Sequence, residues 1–192
     1  LIEENLTLNL IEEMGTIVTT NRLNLCLMED LHADDLFEMD ADPDVHLYID
    51  QSPLSERSEQ LKIISIIQNQ YTTLGIGRWS ILLRETNECI GWAGLKKCLD
   101  PLNGYQGYYD LGYRLKKKHW GKGYATEASL AVVKYGFDKM GIDKIHAVTD
   151  AQNLGSQNIL TKIGFEKINS FSLDDRLHHW FTITKDQYTC NL

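Results

Sequence analysis

The sequence predicts an α+β (mixed α/β) domain built on a central, largely antiparallel sheet. Three observations lead there. Alternating, β-branched stretches recur along the chain in runs of strand length. Helical periodicity separates them in the order strand, two helices, three strands, helix, strand, helix, two strands. The 192 residues, 43% hydrophobic, suit one domain with a sizeable core.

The elements follow in order. Thr16 to Met28 alternates and is rich in leucine and β-branched residues, which predicts a strand. Asp30 to Asp40 reads as a helix with Leu31, Phe37 and Met39 as its apolar contacts. Ser55 to Leu74 reads as a second helix, with Ser55 as cap, Leu61, Ile64, Ile67 and Tyr71 at helical spacing, and Gly75 and Gly77 ending it. Strands are expected over Trp79 to Arg84, Glu88 to Cys98 and Tyr108 to Leu115, with Pro101 to Gly107 as a loop. Gly121 to Met140 predicts a long helix with Ala125, Ala128, Val132 and Tyr135 on one face. A strand over Lys144 to Asp150, a short helix over Ser156 to Ile163, and a hairpin of Phe165 to Leu173 with His178 to Lys185 complete the chain. Residues 1–15 read as an extension and 16–192 as the single domain.

Composition narrows the function. A net charge of −8 argues against general nucleic-acid binding. No apolar run approaches the roughly 20 residues of a membrane span, and no secretory leader is expected. Cys26, Cys89, Cys98 and Cys190 lack metal-type spacing and read as reduced thiols of a cytoplasmic protein. Within residues 1–50 thirteen acids face one base, Arg22, whereas Lys116, Lys117, Lys118 and Lys122 cluster with His119. Each cluster is open to reading as a solvated face. Their separation also suggests a cationic ligand near the first and an anionic one near the second.

The segment Trp120-Gly121-Lys122-Gly123-Tyr124-Ala125 follows a strand and opens a helix. Glycines there let the backbone turn tightly and aim several N–H groups at one point, and a helix N-terminus adds a partial positive charge. Such a loop suits a pyrophosphate; two glycines before a helix also suit a plain tight turn. The spacing is neither a Walker loop nor the three-glycine dinucleotide fingerprint.

Taken together, Tyr108-Tyr109-Asp110-Leu111-Gly112-Tyr113-Arg114-Leu115, WGKGYATEA at 120–128, Asn153-Leu154-Gly155-Ser156 and Lys162-Ile163-Gly164-Phe165 resemble the GNAT superfamily of N-acetyltransferases. In particular they resemble its ribosomal-protein N-terminal (Rim-type) branch, whose opening strand Thr19 to Leu25 also resembles. The resemblance covers roughly residues 16 to 187. It implies a twisted sheet with a splayed strand pair and helices on both faces, and acetyl-CoA as cosubstrate without a metal. It further implies that N–H groups of Gly121, Lys122, Gly123, Tyr124, Ala125 and Thr126 hold the pyrophosphate. The main chain of Tyr113 and Leu115, and the side chain of Asn153, would meet pantetheine. Lys162 would approach the nucleotide. Trp120 stands where the broad superfamily has Gln or Arg. Leu160 stands where many members carry a tyrosine acid; the Rim-type branch instead places a serine three residues after the asparagine, so the resemblance implies Ser156 as the acid or thiolate-stabilising donor, with helix capping as its structural alternative.

Direct acetyl transfer needs a neutral amine, a proton acceptor and a donor for the thiolate. Asp110 is the first candidate base, Glu88 the second. His178 and His179 read as core or surface residues. The acceptor is expected to be a peptide N-terminus or a small cationic amine, and the protein a monomer or homodimer. A non-catalytic coenzyme A-binding module and a nucleotide-binding protein remain the rival readings.

Overall fold

The computed structural model describes residues 15–49 and 51–190; the expected extension therefore lies almost wholly outside the described residues. The strands are β1 Thr16–Thr19, β2 Leu23–Leu27, β3 Arg78–Leu83, β4 Cys89–Cys98, β5 Tyr108–Leu115, β6 Lys144–Asp150, β7 Glu166–Leu173 and β8 Arg176–Thr184. They form one sheet in the order β1-β2-β3-β4-β5-β6-β8-β7, antiparallel except between β5 and β6. The helices are α1 Ala33–Asp40, α2 Pro43–His46, α3 Arg57–Leu74, α4 Tyr124–Asp138, α5 Leu154–Lys162 and α6 Lys185–Cys190.

Strand alternation sorts the side chains onto two faces. Leu111 and Leu115 of β5, Ile145 and Ala147 of β6 and Phe181 and Ile183 of β8 join Ala128, Val132, Val133 and Phe137 of α4 in the larger core. On the opposite face, Leu36 and Met39 of α1 and Ile64 of α3 pack with Met28, Leu82 and Cys89 in a smaller one. Helices thus cover both faces, as the resemblance implied.

Several boundaries differ from the sequence expectation, each for a local reason. The single strand over Thr16 to Met28 is a hairpin. Thr20 closes its turn through its own hydroxyl, which accepts from Leu23 N at 3.0 Å, so no glycine or proline announces the bend. Leu31 is 64% exposed in a 3-10 turn (Asp30–His32) that precedes α1, and Leu36 takes the core place instead. Ser55 does not cap α3. Glu56 does, in a capping box with Glu59, whose carboxylate also accepts from Ser55 N at 2.9 Å. α4 begins at Tyr124 because Gly121 and Gly123 have φ of +73° and +80°, outside the helical region. Asn153 caps α5, which starts at Leu154, not Ser156. The short α2, with Asp42 as cap and Pro43 at its first position, and α6 carry no long periodicity and fell outside the expectation.

The feature that positions the site is the β5–β6 contact. Its register holds at one pair, Asp110 with His146. β5 is paired to β4 along its whole length, and β6 to β8 along its whole length. Beyond Asp110 the two inner edges run on without pairing each other, which leaves main-chain groups for a third, extended partner.

His146 at that junction is 4% exposed. Its Nδ1 accepts from the Trp180 indole N–H at 3.0 Å and lies 2.7 Å from Thr182 Oγ1. An indole only donates, so the imidazole proton sits on Nε2. Burial, aided by Lys144, pushes its pKa down to about 4. A folded value below the unfolded one near ~6.5 contributes stability above pH ~6.5 that is lost as pH falls toward 4. Urea unfolding at pH 7 and pH 4 should show wild type losing roughly 2–3 kcal/mol more than His146→Asn. Equal losses in the two proteins would assign the acid sensitivity to carboxylates.

Candidate functional site

The loop entering α4 is tied down at several points. A 3-10 turn, Lys117–His119, leads out of β5. The Trp120 indole N–H folds back to donate to Leu115 O at 2.8 Å, so the carbonyl expected to meet pantetheine already carries one bond. Gly121 and Gly123 both lie in the left-handed region. No heavy atom stands within 4 Å of where a Cβ on Gly121 would be, and on Gly123 only Arg22 Nη2 approaches, at 3.5 Å. The first bond of the helical ladder runs from Glu127 N to Gly123 O at 3.0 Å. The N–H groups from Gly121 to Thr126 precede it at the positive end of a 15-residue helix. This open cradle of donors fits a pyrophosphate.

Across the splay from the loop stands the start of α5. Asn153 Oδ1 accepts from Ser156 N at 3.0 Å. Asn153 is therefore the cap, which overturns the capping alternative for Ser156. The Ser156 hydroxyl lies 2.9 Å from the Tyr113 hydroxyl, which is also 3.0 Å from Ser156 O. Burial raises the Tyr113 pKa, so the phenol keeps its proton across the physiological range. The absent tyrosine at position 160 is explained as well: Leu160 is 1% exposed and belongs to the core. Lys162 is exposed in the last turn of α5, roughly 13 Å along the helix from Asn153.

Asp110 lies on the other face of β5. Arg78 of β3 reaches it, with Nη2 2.9 Å from Oδ2. That reach depends on Gly112, where a Cβ would lie 2.6 Å from the same guanidinium. Burial raises the Asp110 pKa and Arg78 opposes the rise; burial prevails. The row continues with Trp92, whose ring lies between the guanidiniums of Arg78 (5.3 Å) and Arg114 (5.4 Å), and with Asp40, 2.6 Å from Arg114 Nη1. The sequence did not single out Arg78, Tyr113's hydroxyl or His146. Their partners are brought together only by strand pairing, whereas alternation alone would have placed Asp110 and Arg114 on one face of β5.

The charge clusters need correction. The acids of α1 and Asp44 pair with Lys116, Lys117 and Lys118, so the two clusters are neighbours in the fold. Lys116, 3% exposed, is 2.5 Å from Asp35 and 2.7 Å from Glu38. Lys117 pairs with Asp44, Lys118 with Glu38 and Glu88, and Arg57 with Asp34. Asp50 lies outside the described residues. Glu88 is likewise corrected as a second base. It sits 3.0 Å from Lys118 and 3.4 Å from His119, and these outweigh its burial and lower its pKa. His179 Nδ1 contacts Ser170 Oγ at 2.9 Å and His178 Nδ1 donates to Arg176 O at 3.1 Å. Among the described residues no group of three His, Cys, Asp or Glu is placed to hold a metal, and no helix is long and apolar enough to cross a membrane.

Burial ranks these ion pairs. Removing Asp40 (2% exposed) strands Arg114, whereas Asp35 is 38% exposed and its loss is relieved by water. Asp40→Ala should cost about 3 kcal/mol and Asp35→Ala about 0.5 kcal/mol in urea titrations. Equal costs would overturn this ranking.

Comparison with known proteins completes the picture. The acetyltransferase (GNAT) domain family matches residues 22–166. An uncharacterized N-acetyltransferase, p20, of Bacillus licheniformis is 34% identical over 77% of this chain and 81% of its own. A second, YoaA of Bacillus subtilis (strain 168), is 30% identical over 80% and 85%. Among solved structures, a GNAT-family acetyltransferase from Bacillus anthracis superimposes with a TM-score of 0.74 at 21% identity, covering 88% of this chain and 98% of that one. The RimL ribosomal-protein α-N-acetyltransferase in complex with coenzyme A gives 0.75 at 15% identity, covering 90% and 99%. At these identities the structures support the shared fold.

Proposed function

This chain belongs to the GNAT acetyltransferase family, and on that premise we propose that it transfers an acetyl group directly from acetyl-CoA to a primary amine. The observation that carries the reading is the open N–H cradle at Gly121–Thr126 set beside a sheet gap that starts at the Asp110–His146 pair. The cradle takes the pyrophosphate; the unpaired edge of β5 and the Asn153 side chain take pantetheine. Acetyl-CoA brings the activated thioester.

The residues of this chain then move protons. An amine must be neutral to attack. Asp110, at the narrow end of the gap, accepts its proton directly or through water. Burial raises its affinity for that proton, and Arg78 limits the rise. At the sulfur, Ser156 is the donor. While the Tyr113 proton points to Ser156 O, the Ser156 proton is directed at Tyr113. When Tyr113 turns its proton to Ser156 Oγ, the serine O–H is free to hydrogen-bond the departing thiolate and stabilise it, with the proton that completes the thiol coming from solvent. A cysteine nucleophile is not required, and burial lifts the Cys89 thiol to about 12.

For the acceptor, mutual pairing of the acids and lysines weakens the charge argument for a polyamine and for a basic peptide alike. An α-amino group, with a pKa near ~8 against ~10.4 for an alkyl amine, asks less of the base. A peptide N-terminus is therefore the acceptor class we favour.

Acetyl-CoA should raise the thermal midpoint of wild type by mass action, and Gly123→Val should abolish the shift. An undiminished shift in that variant would remove the loop from the site. With a peptide acceptor, Ser156→Ala should lower kcat by about a hundredfold with little change in acetyl-CoA affinity. In wild type kcat/KM should rise with pH as Asp110 loses its proton, and Asp110→Asn should erase that limb. A retained limb would exclude Asp110 as the base. A screen in which peptides fail and small amines react would redirect the acceptor assignment.

A further inference from the structure

Arg22 lies in the turn between β1 and β2, a hundred positions before the loop, yet it is built into the loop's edge. Its Nε is 2.6 Å from Glu127 Oε2, and its main-chain N–H donates to Oε1 at 2.9 Å. Its Nη1 donates to Lys122 O at 3.0 Å. Its guanidinium lies 4.4 Å above the Tyr124 ring. Thr20, in the same turn, donates to Glu127 Oε1 at 2.7 Å. The fork is thus oriented from three sides. The remaining nitrogen, Nη2, makes no hydrogen bond among the described residues and is the atom that approaches Gly123.

Two features of the loop give this placement a purpose. Glu127 sits in the first turn of α4, where an unpaired carboxylate would repel an arriving phosphate. Arg22 cancels that charge. The first residue of the loop, Trp120, is neutral and committed to Leu115 O, so the loop lacks a held cation of its own, since Lys122 is exposed. Arg22 stays 42% exposed, open to an incoming ligand.

We propose that Arg22 is a cofactor-binding residue, donating from Nη2 to a pyrophosphate oxygen of coenzyme A while Nε and Nη1 hold the guanidinium in place. The proposal rests on the reading of Gly121–Thr126 as the coenzyme site. It assigns to the β1–β2 hairpin a share in donor binding, beyond its place at the edge of the sheet.

Calorimetric titration of the whole protein with coenzyme A and with dephospho-coenzyme A, which keeps the pyrophosphate, tests it. Arg22→Ala should weaken both ligands by the same factor, on the order of tenfold. Arg22→Lys, which keeps charge but not the fork, should fall between Arg22→Ala and wild type. The deciding variant is Glu127→Gln. If Arg22 touches phosphate, removing the competing carboxylate leaves binding as tight as wild type or tighter. If Arg22 serves only to clamp the hairpin to α4, Glu127→Gln weakens binding as much as Arg22→Ala, and the proposal is overturned. It is also overturned by unchanged affinity in Arg22→Ala, or by a loss confined to coenzyme A, which would place the contact at the 3′-phosphate. Failure of wild type to bind either ligand would sink the coenzyme reading itself, an outcome distinct from any difference among variants.

Discussion

The constraint on which the rest depends is that β5 and β6 meet at one pair of residues. Each strand is fully committed to its outer neighbour, β5 to β4 and β6 to β8. Their right-handed twist then carries the inner edges apart, and the sheet cannot close between them. Main-chain groups left along such a gap must find partners elsewhere. The glycine loop stands at the open end, Asp110 and His146 at the closed end, and α5 flanks the gap with Asn153 and Ser156. Each part of the candidate site takes its position from this one departure from regular pairing.

Electrostatics on the face opposite α4 obeys a second rule. Charged groups that enter the interior do so in pairs, because a lone buried charge is far costlier than a paired one. Asp110 with Arg78, Asp40 with Arg114 and Asp150 with Arg176 all follow it. The acids of α1 and the lysines leaving β5 extend it to the surface, where water screens each contact and the gain per pair is small. Their effect is geometric more than energetic: α1 and the approach to the loop are held side by side by Lys116, whose ammonium is withdrawn from solvent.

Much of this was legible in the sequence. The strands Tyr108–Leu115 and Lys144–Asp150 stand where alternation put them, and the glycine loop opens a helix as its spacing requires. The fold class and the family followed from the order of elements and of motifs. What escaped was whatever depends on partners distant in the chain. Asp110 was legible as a candidate base but its ion pair was not, because nothing near it in sequence reveals Arg78, two strands away. The acid and lysine clusters read as separate solvated faces, or as two ligand sites, because they are some eighty residues apart and become neighbours only in the folded sheet. Ser156 looked like a cap because serine so often is one, while the true cap, Asn153, was already assigned a binding role. The hairpin at Thr20 was hidden by side-chain turn chemistry that mimics a continuing strand.

Gly112 carries a wider consequence. By leaving β5 bare at one position, it lets a residue of β3 decide what charge stands at the junction. On the proposal that Asp110 is the base, its charge is set from β3, a strand apart from the glycine loop. Substitution at position 78 or 112 would retune one half of the molecule without touching the glycine loop. On that proposal the glycine loop can stay constant while the junction changes, and a resemblance carried by the loop is silent about the acceptor.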